Sequence, residues 1–490
     1  MALPPWTVEL LRRGVTDLAR QVTDNETAAS LKEQASKLVE ELPKTARDKV
    51  DTILRQAEQS ARPLKDVWQS GALWRGGAVS ITPTRLINAT GCLLNPRGSG
   101  VGLPSESVAA AIPHLSGDAA RVENVDTRLC EAIAAAVARR CNDGNSETRE
   151  LDAIVTNSLD ASLGLIATLG KRGGSISVPR CCAQPMSVSA AGEPTSGPGQ
   201  LLVERLRTHG CSRVREFGLA DGSDLSSERH FQTRSPIGSG RPRHASHDGR
   251  IADPLPRRRS NYLVRLASSQ TTPQIPADSR DDWVDIVVVP YGGVFELAGP
   301  IEIQSIVGHL QAGADVVVLA GGVLAGIPEI GLIVGDTETI QKLRETPAAD
   351  LAAAPTALTS LVASSVTLQS SGNSPLQQLL DVSEDNLQDR ATRLSTQLAG
   401  FDAVPATRVT SDSAAFGFPE KNATDNVITS RQVVVTLDAS KPADRVARQL
   451  AEATTGVLCR VNGNEIIIDL RWVSPEQQAQ IGEILGTTLS

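Results

Sequence analysis

The sequence predicts an α/β protein in three parts: an N-terminal helical domain, a large domain on a mainly parallel sheet, and a small C-terminal α+β domain. Three observations carry this. Between 79 and 375, short runs that are nearly all apolar and rich in Val and Ile alternate with helical segments, as in a sheet covered on both faces. Residues 1–78 show apolar positions at helical spacing. From 376 to 490 the order changes to helix, strand, helix and hairpin. A chain of 490 residues suits two or three domains, because single cores rarely grow past about 250–300 residues. Aromatic residues make up only 3%, so the cores must rest on Leu, Val, Ile and Ala.

In chain order, the N-terminal helices are read in TVELLRRGVTDLARQV, AASLKEQASKLVEELP and DKVDTILRQAEQ. Their 12 Lys and Arg against 11 Asp and Glu suit an amphipathic cap as well as a module that docks on a partner. In the large domain the helix DTRLCEAIAAAVARR (126–140) precedes the strand DAIVTNS, the helix LDASLGLIATLG, the strand GSISVP, the helix LLVERLRTHG and the strand SRVREFG. NYLVRLASS, VDIVVVPYGG, ADVVVLAGG and GLIVG complete its strands. The small domain reads as the helix SEDNLQDRATRLSTQLAG, the strand RQVVVTLD, the helix ADRVARQLAEATTG and a hairpin, VLCRVNGNEIIIDLRWV, turning at Asn462-Gly463.

Residues 229–265 break the rhythm, with nine arginines against two acids, His230, His244 and His247, and many Ser, Pro and Gly. The expectation is a disordered, solvated insertion; the alternative is an RNA-contacting arm that folds on binding. The formal charge of −8 gives no global footprint for nucleic acid, so any such contact has to be local. Seven scattered cysteines without a CxxC spacing point to reduced intracellular thiols rather than a disulfide framework or a structural zinc site. No leader-like N-terminus and no run of 18 apolar residues occur, so the expectation is a cytoplasmic protein with no membrane span.

Four blocks carry a resemblance: RLINATGCLLN (85–95), AIVTNSLDASLGLIATL (153–169), Gly313–Gly335 (GADVVVLAGGVLAGIPEIGLIVG) and GVLCRVNGNEIIIDLRWV (456–473). With them the chain resembles bacterial selenocysteine synthase, or L-seryl-tRNA(Sec) selenium transferase, a fold-type-I pyridoxal-phosphate family. The resemblance implies a PLP-transferase-like large domain and a homo-oligomer. It also implies a cofactor held by an imine lysine, an aspartate on the pyridine nitrogen, and a helix N-terminus at the phosphate. Such a site would convert seryl-tRNA(Sec) to selenocysteinyl-tRNA(Sec).

The chain departs from that pattern at each point. The resemblance places the imine lysine at Val323, within Ala320-Gly321-Gly322-Val323, and valine forms no imine. No lysine lies between Lys171 and Lys342. The ring-nitrogen aspartate aligns with Pro290, and Asp285 lies some 17 Å away along an extended strand. The vestige of a cofactor site is expected at Asn157, Ser158, Gly321 and Gly322, with Asp160 an unfavourable charge beside a phosphate. The family's histidine loop is replaced by Asn95–Gly100. Cys181-Cys182 is the one other nucleophile considered, with inert burial the plainer reading. No metal site and no covalently bound pyridoxal phosphate are expected. The function expected is a binding or scaffold pseudoenzyme, holding tRNA through residues 1–78 and the 229–265 arm; the alternative is an active selenium transferase.

Overall fold

The computed structural model describes residues 85–95, 97–120, 122–142, 149–171, 174–179, 202–219, 231–233, 261–267, 283–299, 303–415 and 427–489. The chain separates into two units, Met1–Thr82 and Pro83–Ser490. The first of these, with the helices expected over 1–78, lies outside the described residues, as do Cys181-Cys182 and 234–260 of the arginine-rich stretch.

The first elements of the second unit are β1 (Arg85–Asn88), α1 (Ser105–Ser116), α2 (Val125–Asn142), β2 (Leu151–Thr156), α3 (Leu159–Lys171), β3 (Ser175–Pro179), α4 (Leu202–Thr208), β4 (Val214–Leu219) and β5 (Phe231–Thr233). There follow β6 (Asn261–Leu266), β7 (Trp283–Val289), α5 (Ile306–Gln311), β8 (Val316–Gly322), β9 (Ile327–Asp336), α6 (Thr337–Arg344), α7 (Pro347–Ala352), α8 (Thr356–Ser370) and α9 (Pro375–Leu380). The last are α10 (Glu384–Leu398), β10 (Ala406–Ala415), β11 (Val427–Thr436), α11 (Ala443–Glu452), β12 (Thr455–Leu458), β13 (Arg460–Asn462), β14 (Glu465–Asp469) and α12 (Pro475–Leu489).

Eight strands form one sheet in the order β2-β9-β8-β7-β6-β3-β4-β5. The pairings from β8 through β7, β6 and β3 to β4 are parallel, whereas β9 runs antiparallel to both β2 and β8. This is the mainly parallel α/β architecture the apolar runs imply. Alternation divides each strand between two cores, because successive side chains point to opposite faces. Val287, Val289, Val317 and Leu319 join α2, α5 and α8 on one face. Ile286, Val288, Val316 and Val318 join α3, α4 and α6 on the other.

The smaller sheet has the order β10-β11-β14-β13, and a third core lies between it and α10, α11 and α12. Two of its elements have no counterpart among the expected ones: β10, ten polar-rich residues paired along β11, and α12. The hairpin is real but shifted. Asn462 pairs with Glu465, so the turn residues are Gly463 and Asn464, and Gly463 supplies the positive φ of 59°. The first hairpin strand is also split, since β12 leaves the sheet to pair in parallel with β1.

That last pairing matters for the site. The Ala89 N–H donates to the Leu458 carbonyl at 2.9 Å, and the Asp469 N–H donates to the Ala89 carbonyl at 2.9 Å. The two most distinctive sequence blocks, RLINATG and the closing hairpin, are therefore neighbours in space. The buried Asp469 carboxylate accepts from Ser430 Oγ at 2.6 Å, Gln432 Nε2 at 3.0 Å and the Arg471 N–H at 3.0 Å. Burial raises its pKa and these hydrogen bonds oppose the rise.

Candidate functional site

In an open parallel sheet, ligands bind outside the carboxyl ends of the strands. Here β2 and β8 run the same way on either side of β9, with Thr156 opposite Gly331 and Ala320 opposite the same Gly331. The residues after β2 (Asn157, Ser158), the end of β8 (Gly321, Gly322, then Val323) and the residue after β7 (Pro290) thus lie along one edge. The fold assembles the candidate positions from three separate stretches of sequence.

Their side chains are committed to the protein itself. Asn157 Nδ2 donates to the Ala353 carbonyl at 2.9 Å, so the end of α7 is held to the end of β2. Ser158 Oγ accepts from the Ala161 N–H at 3.1 Å, capping the first turn of α3. Below it Thr156 Oγ1 and Ser162 Oγ share a hydrogen bond of 2.7 Å. Asp160, in the first turn of α3, is bonded by Arg205 Nη1 at 2.7 Å and lies 3.3 Å from His209 Nε2. This carboxylate is held by α4 and its following loop as well as by the helix dipole.

The two glycines are accounted for by the hairpin. A register shift falls between Ala320 and Gly322, where the ladder resumes at Ile327. A Cβ on Gly321 would lie 1.8 Å from the Pro328 carbonyl oxygen, and Gly322 has φ +143°. Only glycine meets both demands without moving backbone. Val323 follows in the turn. It is half-buried and packs against an apolar cluster whose buried members are Leu93, Leu376, Ala414 and Trp472.

The one acidic residue of β7, Asp285, is taken up elsewhere. Asp285 sits at the amino end of β7, and its carboxylate forms two hydrogen bonds of 2.9 Å with Arg265 Nε and Nη2 on β6. Both side chains are buried, 10% and 7% exposed, so the pair is closed to solvent. The Asp285 N–H donates to Asp315 Oδ2 at 2.7 Å, and Arg149 lies 3.8 Å from the other oxygen of Asp315. Arg265, the last of the nine arginines in the expected insertion, is thus a core residue of a central strand. Lysine is no better placed. Lys171 is the exposed last residue of α3, and Lys342 Nζ donates to Glu338 Oε1 at 2.8 Å on the exposed side of α6.

His309 of α5 lies beside the Arg265–Asp285 pair, with its Nε2 buried and unpartnered among the described residues. Burial is the main reason its pKa falls from 6.5 to about 4; Arg265 lowers it further and Asp285 opposes. The unfolded chain therefore takes up this proton before the folded one does. The contribution is complete above pH 6.5 and is lost as pH falls from there towards about 4. His309→Gln is expected to flatten the fall of thermal midpoint over that window, measured between pH 7.5 and 4.5. An unchanged slope would refute it.

The described thiols are held from reactivity by the same physics: none forms a disulfide with another described cysteine, and burial raises their pKa values, that of Cys141 to about 11 and that of Cys459 to about 12. Among the described residues no group of three or more His, Cys, Asp or Glu could hold a metal ion, and no helix is long and apolar enough to cross a membrane.

Residues 300–474 match the family model of L-seryl-tRNA selenium transferase. The chain resembles this selenium transferase family. The matched stretch runs from the loop before α5 to Ser474. It contains Gly321, Gly322, Val323 and the small sheet, while Asn157, Ser158 and Pro290 lie outside it. No curated protein matches the chain. Solved structures that the chain matches include Sphingomonas wittichii serine palmitoyltransferase, at 14% identity over 87% of this chain and 96% of that one, with a TM-score of 0.36. An alanine–glyoxylate aminotransferase from Nostoc sp. is 13% identical over 84% and 97%, also at 0.36. A single mutant of Thermus thermophilus aspartate aminotransferase is 14% identical over 83% and 92%, at 0.35.

Proposed function

We propose that this chain is a selenium-transferase-like protein that has lost pyridoxal-phosphate chemistry and acts as a binding or scaffold protein. The observation that carries the reading is Val323: the resemblance sets the imine lysine there, and the residue present has no side-chain amine and packs against an apolar cluster. The rest of the edge supports it. Pro290 offers no carboxylate, and Asp285 is spent on Arg265. The Asn157 amide donates to the protein's own backbone and Ser158 Oγ accepts from it, and a carboxylate, Asp160, sits in the helical turn where a phosphate would bind. These residues do not fit the cofactor.

As the bound partner we propose tRNA, the substrate carrier in the family's name, held by residues 1–78 and the arginine-rich stretch ahead of β6 rather than the whole of 229–265, since Arg265 is a core residue, with the chain assembled as a homo-oligomer. Contact with the phosphate backbone would weaken steeply with salt.

The deciding measurement is an absorbance spectrum of the full chain with pyridoxal phosphate, before and after borohydride. The expected result is the spectrum of free cofactor, with no visible band that borohydride traps on the protein. A trapped band, or conversion of serine to selenocysteine on charged tRNA, favours the active-transferase alternative.

A further inference from the structure

The turn that carries Val323 straddles two cores. Ala325 and Ile327 belong to the core on one face of the large sheet, whereas Val323 and Leu324 pack into the separate cluster around Trp472. That cluster draws its members from parts of the chain far apart in sequence: Leu93 from the loop after β1, Leu376 from α9, and Trp472 from the segment after β14. The turn is also pinned from the opposite side. Gln369 of α8 donates from Nε2 to the carbonyls of Ala325 and Gly326, each at 3.1 Å. Within the turn the Gly326 N–H donates to the Val323 carbonyl at 3.2 Å.

We infer that Val323 is a fastening residue: it joins the large-sheet core to the Trp472 cluster, so the β8–β9 turn serves as a packed clasp rather than the open rim of a ligand site. The inference rests on the reading that Val323 stands at the lysine's place, and goes beyond it. A lost lysine alone would leave a vacant site that the single change back could repair. A clasp opposes that repair, since at this half-buried position a lysine must leave the apolar cluster to keep its ammonium in water and gives up the valine's packing. The valine is then held by packing in its own right.

The test uses the full chain with Val323→Lys, Val323→Thr, Leu376→Ala and the Val323→Thr/Leu376→Ala double variant. Threonine keeps the branched shape and adds a hydroxyl to the cluster. It is expected to lower the thermal midpoint by about 2–4 °C, with a larger drop for lysine. The double variant should lose less than the sum of its two singles, because residues in one cluster couple. Val323→Lys with pyridoxal phosphate should show no visible band that borohydride traps.

A Val323→Lys protein that melts with the wild type, or that gains a trapped band, would overturn the clasp. Should Val323→Lys fail to fold, the threonine cycle decides, and strict additivity overturns the inference. A trapped band in the wild-type protein would instead strike the proposed function. The two failures are therefore read from different samples.

Discussion

Asp285→Ala is expected to destabilise the protein by about 3–5 kcal/mol, the usual cost of leaving one partner of a buried ion pair uncompensated. The geometry places this pair at the severe end. Both 2.9 Å hydrogen bonds to Arg265 run from the guanidinium fork to the two carboxylate oxygens, which is the bidentate arrangement that arginine allows and lysine does not. Removing the carboxylate strands a cation that is 6% exposed between β6 and β7, beneath α5. The pair itself contributes little net stability, because desolvating two charges offsets most of their attraction. The double change Asp285→Ala/Arg265→Met should therefore recover most of the loss. Urea unfolding with an unchanged m-value would measure both. If the single variant unfolds within about 1 kcal/mol of wild type, the pair is not buried as described.

Trp472→Ala carries the other large effect, about 3–5 kcal/mol, from the cavity left by a fully buried indole. Its Nε1 donates to the Ala415 carbonyl at 3.2 Å, so the side chain ties β10 to the segment after β14 as well as filling the cluster. Trp472→Phe keeps most of the volume and loses the hydrogen bond, typically about 1 kcal/mol. The two variants thus separate packing from polar attachment. Thermal unfolding followed by far-ultraviolet circular dichroism measures them. Equal losses for Ala and Phe would mean that the hydrogen bond, not the cavity, dominates.

Much of the fold was legible because local pattern and tertiary burial agree. The runs in VDIVVVP and ADVVVLAG are apolar on successive residues, and such strands have to be covered on both faces. The helices over 126–140 and in LDASLGLIATLG announce their buried stripes at helical spacing, and the structure buries Ile133, Ala134 and Val137 accordingly. β10 was not legible: ATRVTSDSAA has neither apolar alternation nor a dense β-branched core, and it becomes a strand by pairing with β11 along ten residues. Arg265 was misleading for a related reason. Nine arginines in a low-complexity context read as solvated, yet the last of them alternates inward on β6 and meets Asp285 from a strand 20 residues later. A lone Asp in the apolar run VDIVVV was the available signal, since a buried carboxylate requires a partner.

By itself the sequence determined that the side chain at 323 carries no amine and the one at 290 no carboxylate, whatever surrounds them. It also carried the secondary structure of the large sheet and the distinctiveness of the RLINATG and closing-hairpin blocks. Only the tertiary structure decided what those positions do instead. It brought Asn157, Ser158, Pro290 and the β8–β9 turn to one sheet edge, with the Asn157 amide donating to a backbone carbonyl and Ser158 Oγ accepting from a backbone N–H. It also set Val323 against Leu93, Leu376 and Trp472. Such pairings join residues tens to hundreds of positions apart, and local periodicity carries no information about which distant partner a side chain will meet.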